Sequence, residues 1–243
     1  MYKVIQGDCH RLLASIPDSS IDMVLTDPPY GTTQCAWDSV LDFDIIWPEL
    51  IRVTKPNAAT LLMAQTPYDK VLGCTNLKML RYEWIWEKTA ATGFLNAKKM
   101  PLKAHENILV FYKSLPSFNP VMTRSHSRKT ASRKTVTSEC YGKAIELVNY
   151  DSTSRYPRSV QIFNKDKQRS TLHPTQKPVA LMEYLIKTYS NEGDTVLDFT
   201  MGSGSTGVAA IKNKRNFAGI ELDKSYHNAA ENRILETICE YIL

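Results

Sequence analysis

The sequence feature that most constrains the fold is a glycine-rich loop between an apolar strand and a helix. Residues 202–207 read Gly-Ser-Gly-Ser-Thr-Gly and match the pattern G-x-G-x-x-G. The flanking patterns are a strand at 195–199, a helix at 206–213 and a strand at 217–220 that ends at Glu221. This succession predicts a βαβ unit, whose two strands lie parallel in one sheet.

Strand and helix patterns also alternate through the rest of the chain. Before residue 113 the apolar runs predict five strands, at 4–6, 21–26, 59–64, 82–87 and 107–112. The other helical patterns lie at 10–16, 42–55, 68–80, 179–189 and 225–238. With the two strands near the end of the chain, we expect an α/β fold with a doubly wound, mostly parallel, seven-stranded sheet. The 243 residues suffice for one large domain or for a domain with an insertion.

One segment departs from this pattern and is strongly basic. Residues 113–170 contain twelve lysines and arginines and four acids, a charge of +8, whereas the whole chain carries +5. A basic segment on a mildly acidic remainder favours a polyanionic partner, although a solvated surface loop can have the same composition. The residues expected to contact such a partner are Arg124, Arg128, Lys129, Arg133 and Lys134.

The composition argues against several classes of protein. Five cysteines are widely spread and form no Cys-x-x-Cys pair, so neither a disulfide framework nor a zinc site is expected. We expect no metal, and a reducing, cytoplasmic compartment. No apolar stretch is long enough to span a bilayer, and the first residues lack the pattern of a signal peptide. We therefore expect no membrane partner.

The glycine loop and Glu221 together indicate a cofactor that contains adenosine. Glycines let the backbone approach a ligand closely, and the N-terminus of the following helix favours negative charge. Glu221 lies where such βαβ units place an acceptor for the ribose hydroxyls. NAD and S-adenosyl-L-methionine both contain adenosine, so the loop alone leaves an NAD-dependent oxidoreductase and a methyltransferase as alternatives.

The tetrapeptide Asp27-Pro28-Pro29-Tyr30 follows the strand at 21–26 and favours methyl transfer. Ligands of open α/β sheets bind at the carboxyl ends of the strands. An amino group on an aromatic ring is a poor nucleophile, because its lone pair is delocalised into the ring. Asp27 and the Pro28 carbonyl can accept hydrogen bonds from its two N–H groups. Because these acceptors lie out of the plane of the ring, they localise the lone pair on the amine nitrogen. Tyr30 offers a face on which a base can stack, whereas a nicotinamide enzyme has no evident use for these residues.

Four motifs, in this order, resemble those of the amino-methylating DNA methyltransferases that use S-adenosyl-L-methionine. They are residues 27–30, residues 105–111 (His-Glu-Asn-Ile-Leu-Val-Phe), residues 173–178 (His-Pro-Thr-Gln-Lys-Pro) and residues 198–207. A catalytic motif before the cofactor loop is similar to the β group of the family, a circular permutation of the usual methyltransferase sheet. The resemblance implies a catalytic half at 1–112, a target-recognition region at 113–171 and a cofactor-binding half at 172–243.

The resemblance also implies which residues bind the cofactor. They are Asp8, Asp27, His173, Thr175, Lys177, Asp198, Thr200, Gly202, Ser203, Gly204 and Glu221. Asp8 would accept from the adenine amine, Glu221 would hold the ribose hydroxyls, and Lys177 would lie near the carboxylate of the cofactor. Thr200 is a departure, because the family usually has an aromatic residue there, and the aromatic contact to the cofactor is therefore not implied.

The first residue of the tetrapeptide bears on the target base. Family members that act on the cytosine N4 amine mostly have serine there, so Asp27 implies N6-methyladenine in duplex DNA, made on a base that is flipped out. Cytosine-N4 methylation is the alternative. The basic segment and Asp27 argue against an RNA or protein methyltransferase. The catalytic and cofactor motifs argue against a DNA-binding protein without catalysis. A homodimer and a cognate restriction endonuclease are further partners that the resemblance suggests.

Overall fold

An eight-stranded, mostly parallel sheet forms the centre of the fold. The computed structural model describes residues 1–31, 39–133, 137–139, 142–143, 148–164 and 176–241. The strands in this part of the chain are β1 (Tyr2–Gln6), β2 (Ile21–Thr26), β3 (Thr54–Ala64), β4 (Leu80–Thr92), β5 (Lys103–Phe111), β6 (Lys129–Arg133), β7 (Thr137–Ser138), β8 (Gly142–Lys143), β9 (Val148–Ser152), β10 (Val160–Phe163), β11 (Thr195–Asp198) and β12 (Asn216–Glu221).

The part of the chain that the structure describes contains six α-helices, of which five lie between strands and the sixth follows the last strand. They are α1 (Cys9–Leu12), α2 (Phe43–Val53), α3 (Tyr68–Cys74), α4 (Val179–Tyr189), α5 (Ser205–Lys212) and α6 (Lys224–Tyr241). Among these described helices, none is both long enough and apolar enough to cross a membrane.

The order of strands in the central sheet is β1-β12-β11-β2-β3-β5-β4-β10. All neighbouring pairs are parallel except those of β5, which runs antiparallel to both β3 and β4. Parallel neighbours require crossover connections, and the helices between the strands supply them. The prediction of an α/β fold with a mostly parallel sheet is therefore confirmed.

The expected number of seven strands is wrong, because β10 adds an eighth. This strand lies in the basic segment, where the sequence shows few apolar runs, and it pairs in parallel with β4 from Val160↔Ile85 to Phe163↔Lys88. Its four residues are exposed or only half-buried. This strand is held at the edge of the sheet mainly by main-chain hydrogen bonds. Because its side chains are not buried, its sequence need not contain an apolar run from which a strand could be predicted.

Both faces of the sheet are buried, which explains the uninterrupted apolar run of β2. Met23 and Leu25 belong to a buried cluster shared with α4, α5 and α6. Val24, which points to the opposite face, belongs to a second cluster shared with α1, α2 and α3. All three side chains are fully buried. Burial on both faces fixes the register of this strand, so the chain that follows Thr26 emerges at the carboxyl end of the sheet.

Residues 120–158 form a second compact unit, distinct from the one made by residues 1–119 and 159–243. Within it, β6 and β9 pair antiparallel, and Thr123 forms an isolated bridge with Arg155. Arg155 also donates hydrogen bonds to the carbonyl oxygens of Ser127 and Ser152, which closes this unit around its guanidinium group. The unit lies inside the segment 113–171, and the functional boundaries assigned to that segment and to its neighbours stay predictions.

Candidate active site

Four acidic side chains lie at the carboxyl ends of adjacent parallel strands. Asp198 and Glu221 are the last residues of β11 and β12, Asp27 follows β2 directly, and Asp8 lies two residues after β1. These four strands are consecutive neighbours in the sheet. Because the carboxyl ends of parallel strands meet at one edge, residues from the two ends of the sequence converge there.

The carboxylate of Asp27 is held by two side chains. Tyr30 donates its hydroxyl to Oδ1 at 2.6 Å, and the ammonium of Lys177 lies 2.6 Å from Oδ2. The main-chain carbonyl of Asp27 accepts from Thr200 Oγ1 at 3.1 Å, and Pro28 is buried. The Asp27 side chain is nevertheless 26% exposed, so a ligand can reach it. The structure thus shows Lys177 bound to Asp27, and its contact with a cofactor stays a prediction.

Burial and charge act in opposite directions on this pair. Burial raises the pKa of Asp27, while Lys177 lowers it and the nearby carboxylate of Glu106 raises it, so that the net pKa lies above its usual value. Burial lowers the pKa of Lys177, but Asp27 and Glu106 outweigh burial, and the pKa lies above its usual value. Lys177 therefore stays charged at neutral pH.

The ion pair continues into two residues that the sequence did not single out for a role. Glu106 Oε2 lies 3.2 Å from Lys177 Nζ, and Glu106 Oε1 lies 2.5 Å from Lys88 Nζ. Glu106 stands in the stretch 105–111, which was noticed only as a family motif, and no pattern in the sequence pointed to Lys88.

Tyr30 lies against a second aromatic ring and a cation. Its ring centroid is 5.3 Å from that of Tyr68, at an angle of 32°, and Lys177 Nζ lies 5.5 Å from the Tyr30 centroid. Burial raises the pKa of Tyr30 well above its usual value, and the negative charge of Asp27 adds to this, so the hydroxyl remains a hydrogen-bond donor.

The glycine loop makes an unusually tight turn between β11 and α5. Gly202 and Gly204 have φ angles of 50° and 79°, the left-handed region that favours glycine. A Cβ atom on Gly204 would lie 2.9 Å from Cβ of Ala230, so the residue is also required for the close approach of α6. Arg233, from the same helix, donates to the carbonyl of Ser203 and, at 3.2 Å, to its hydroxyl.

The two acidic ends of β11 and β12 shape this loop. Gly202 N–H donates to Glu221 Oε2 at 2.8 Å, and Asp223 N–H donates to Oε1 at 2.9 Å. Burial raises the pKa of Glu221, although these hydrogen bonds oppose the effect. Burial likewise raises the pKa of Asp198 to about 6, against hydrogen bonds that include those from Thr26 and Thr200.

Asp8 begins α1 as its N-cap and faces the same edge. Its Oδ1 accepts from the main-chain N–H of His10 at 3.0 Å, and His10 Nδ1 lies 3.0 Å from the same oxygen. Burial raises the pKa of Asp8, but the hydrogen bonds from His10 outweigh it and lower the pKa below its usual value. Cys9 lies next to them, and burial raises the pKa of its thiol to about 12, which makes it a poor metal ligand.

One polar atom where the glycine loop meets α5 is left without a partner in the part of the chain that the structure describes. Oγ of Ser205, the first residue of α5, is buried and has no hydrogen-bond partner among the described residues. A buried hydroxyl without a partner costs free energy unless a ligand or water satisfies it. With glycines at two positions of the loop and carboxylates at the two adjacent strand ends, these residues fit a ligand that carries both a diol and charged groups.

Some of the predicted site residues cannot be placed. His173, Thr175 and Lys134 lie outside the described residues, and so does the side chain of Arg133. The other basic residues expected to contact a polyanion, Arg124, Arg128 and Lys129, are exposed in the unit formed by residues 120–158. Of these, Arg128 forms a two-pronged ion pair with Asp151, at 2.8 Å and 2.6 Å.

Comparison with known proteins assigns a chemistry to this site. Residues 21–232 match a family described as DNA methylase, of the N6/N4 methyltransferases. The type II methyltransferase M1.MboII of Moraxella bovis is 30% identical over 251 residues, which cover 94% of both chains. The DNA adenine methyltransferase YhdJ of Escherichia coli (strain K12) is 29% identical, over 92% of this chain and 79% of the relative.

Solved structures share the fold. The crystal structure of the M1.HpyAVI-SAM complex superposes with a TM-score of 0.68 at 23% identity, over 96% of this chain and 99% of that one. The PvuII DNA methyltransferase, described as cytosine-N4-specific, superposes with a TM-score of 0.70 at 15% identity, over 99% of this chain and 91% of that one.

Proposed function

Because this chain belongs to the N6/N4 family of DNA methylases, we propose that it transfers the methyl group of S-adenosyl-L-methionine to the N6 amine of adenine in duplex DNA. Its cofactor is S-adenosyl-L-methionine, which supplies an electrophilic sulfonium methyl group when bound. The observation that carries the proposal is the position of Asp27, a partly exposed carboxylate at the sheet edge where Asp198 and Glu221 also end their strands.

Asp27 and the Pro28 carbonyl act as acceptors for the two N–H groups of the target amine. Their role is to hold the amine so that its lone pair leaves the ring plane and becomes nucleophilic. Before the base arrives, Asp27 is held from two sides, by Tyr30 and by Lys177. Positioning of this kind contributes rate because the reacting groups need no further search for the correct orientation.

The target base stacks on Tyr30, while Pro29 helps to keep the turn rigid. An adenine inside a duplex is out of reach of these acceptors, so the base must be flipped out of the helix. Tyr68 supports the Tyr30 ring from one side, which leaves the ring preorganised for stacking. Asp27, rather than the serine that is common in cytosine-N4 enzymes of the family, favours adenine as the target.

The cofactor lies along the carboxyl ends of β1, β12 and β11. In this assignment Asp8 accepts from its adenine amine, Glu221 binds its ribose hydroxyls, and Asp198 shapes the methionine end. The remaining residues assigned to the cofactor are Asp27, His173, Thr175, Lys177, Thr200, Gly202, Ser203 and Gly204. The left-handed glycines and the buried Ser205 hydroxyl, unpartnered among the described residues, support the assignment, because glycines let a ligand approach the main chain closely and a bound polar group could satisfy the hydroxyl.

The segment 113–171 binds the duplex and selects the site. Lysine and arginine contacts to phosphates give affinity, and a few side chains read bases. The exposed side chains of Arg124, Arg128 and Lys129 support this role. The catalytic half comes before the cofactor-binding half in the sequence, and β1 from the start of the chain lies beside β12 in the sheet. This order of strands supports a circularly permuted sheet. A homodimer, a cognate restriction endonuclease and a cytoplasmic location stay predictions.

The experiment that tests the target base is nucleoside mass spectrometry after incubation with S-adenosyl-L-methionine and duplex DNA of mixed sequence. We expect N6-methyladenine, and sequencing of the product would give the site. N4-methylcytosine as the only product would replace adenine by cytosine as the target. A parallel reaction with NAD in place of S-adenosyl-L-methionine is the control and should leave the DNA unmodified.

A further inference from the structure

A chain of alternating charges extends from the active site into the sheet. It runs from Asp27 through Lys177 and Glu106 to Lys88, with contacts of 2.6 Å, 3.2 Å and 2.5 Å between charged atoms. The side chains of Lys177 and Glu106 are 11% exposed and that of Lys88 is 4% exposed. Burying charges is unfavourable unless each is paired, and here each inner charge has a partner of opposite sign.

We propose that Glu106, which is held in place by Lys88, is a positioning residue. When the target amine arrives, the ammonium group of Lys177 moves from Asp27 toward Glu106. The inference rests on the proposed function, because it concerns how Asp27 becomes available as an acceptor. It assigns a role to Glu106 and Lys88, which are not among the residues predicted for catalysis or cofactor binding.

The need for such a residue follows from the contacts of Asp27. One of its oxygens accepts from Tyr30 and the other binds Lys177, so each has one donor before any base arrives and one lone pair left to offer. A target N–H can use that lone pair, but the positive charge of Lys177 weakens Asp27 as an acceptor while the ion pair is intact. Lys177 already lies 3.2 Å from Glu106, and an ammonium group has three donors, so it can move toward Glu106 and keep a partner of opposite charge, while Asp27 keeps Tyr30 and gains the target N–H.

Glu106 is the fixed end of this exchange. It pairs with Trp86 across β4 and β5, so its side chain projects on the same face as that of Lys88, two residues further along β4. Lys88 is bound to Glu106 and lies 5.4 Å from the centroid of the Trp86 ring. Lys177, by contrast, precedes α4 and reaches both carboxylates, which makes it the partner able to shift.

Among the described residues, the charged and titratable groups around Asp27 come from several elements. They are Lys177 before α4, Glu106 from β5 and Lys88 behind it from β4, Asp198 from β11, Tyr30 from the same loop and Tyr68 from α3 behind Tyr30. The carboxylate of Glu106 raises the pKa of Asp27, and Lys177 lowers it. Removing Glu106 should therefore lower the pKa of Asp27, because it removes a negative charge and because Lys177 then binds only Asp27. Removing Lys88 should raise the pKa of Asp27, because Glu106 then lacks its own lysine partner and attracts Lys177 away from Asp27.

The two variants Glu106→Gln and Lys88→Met should shift the acid side of the plot of kcat against pH in opposite directions. We expect the midpoint, the pH at which kcat reaches half its plateau on that side, to fall by about one pH unit in Glu106→Gln and to rise in Lys88→Met. In Glu106→Gln we also expect kcat to fall roughly tenfold, because Lys177 then occupies the acceptor. Glu87→Gln, an exposed neighbour on β4, is the matched control and should leave the midpoint and kcat unchanged.

A purely structural role would lower the activity of both variants without moving the midpoint, and that result would overturn the inference. If Glu106→Gln does not fold, Glu106→Asp tests the same point. Its shorter side chain retreats from Lys177, and the midpoint should fall by less than in Glu106→Gln. An unshifted midpoint in Glu106→Asp would equally contradict the proposal.

Carbon-13 NMR of the Asp27 carboxyl group in the ligand-free protein gives a readout that does not depend on turnover. We expect its titration to shift down in Glu106→Gln and up in Lys88→Met. Unchanged titration in both variants would overturn the role of Glu106 even if adenine is methylated. Wild-type protein that makes no N6-methyladenine would contradict the proposed function instead, while the NMR titration would still report on the charge network.

Discussion

Thr26 Oγ1 donates a hydrogen bond of 2.6 Å to Oδ1 of Asp198, across 172 positions of the chain. The bond connects the last residue of β2 with the last residue of β11. The same hydroxyl lies 2.6 Å from Thr200 Oγ1. Since Asp27 follows Thr26 directly, one buried hydroxyl fixes the position of the acceptor relative to the residues assigned to the cofactor.

Replacing Asp198 with Asn should stabilise the ligand-free protein at neutral pH. Burial raises the pKa of Asp198 to about 6, so the ionised form is disfavoured in the folded state. An acid of this kind lowers the free energy of unfolding of the protein as the pH rises from the pKa that it has in the unfolded chain, about 4, to the pKa that it has in the folded protein. The advantage of Asp198→Asn should therefore grow by about 3 kcal/mol over this window and then level off. Urea unfolding across the pH range measures it, and a constant advantage would contradict the raised pKa.

Asp27→Ala should abolish methyl transfer and keep most of the affinity for S-adenosyl-L-methionine, because Asp27 is only one of the eleven residues assigned to the cofactor. The variant removes an acceptor that acts on the target amine, and loss of one preorganised hydrogen-bonding group costs about 10²- to 10³-fold in rate. Asp27→Asn is the matched variant, because it keeps one carbonyl oxygen and should retain part of the activity. Single-turnover methylation and calorimetric titration of the cofactor provide the measurements. Full turnover in Asp27→Ala would refute the acceptor role.

Gly204→Ala should lower both stability and affinity for the cofactor. The residue has a φ of 79°, and a Cβ atom there would lie 2.9 Å from Cβ of Ala230. Gly193→Ala is a matched control, because Gly193 has a φ of 86° but no atom within 4 Å of the added Cβ. Both variants carry backbone strain of about 1 kcal/mol, and Gly204→Ala should lose a further 1–3 kcal/mol through overpacking. Equal stabilities in urea would show that the contact with α6 is unimportant.

Neutralising Lys129 should weaken DNA binding more than neutralising Arg128. Lys129 is exposed, whereas Arg128 already shares its charge with Asp151. If Lys129 contacts one phosphate, Lys129→Ala should reduce the slope of log affinity against log salt by about 0.9. Lys214→Ala, an exposed lysine outside the basic segment, controls for net charge. An unchanged slope in Lys129→Ala would remove this residue from the DNA contact.

The elements that sequence patterns predicted best are those with a continuous buried face. The helix expected at 179–189 is observed as Val179–Tyr189, and the strands at 21–26 and 195–199 are observed within one residue of their expected ends. The helix expected at 68–80 stops at Cys74, where Thr75 turns its hydroxyl back to the carbonyl of Leu72. A local hydrogen bond of this kind leaves no mark on the apolar periodicity.

The charge network was harder to foresee than the carboxylates at the strand ends. A strand end followed by an acid is visible in the sequence, as with Asp27 and Glu221. Lys88 reads as a solvated residue on a strand, because its partner Glu106 comes from a neighbouring strand whose register the sequence does not reveal. Lys177 was assigned to the cofactor, and its contact with Asp27 depends on how the chain before α4 packs.

The strand order also has a consequence for how the protein is made. Strand β11 lies between β2 and β12, and among the described strands β12 is the only partner of β1, although β1 and β2 are synthesised before both. During translation, β1 therefore has no partner and β2 exposes one bare edge until β11 and β12 have left the ribosome. Unpaired edges of apolar strands attract other chains, so this interval is when aggregation threatens most. Slow synthesis of the last part of the chain should therefore increase the demand for chaperones.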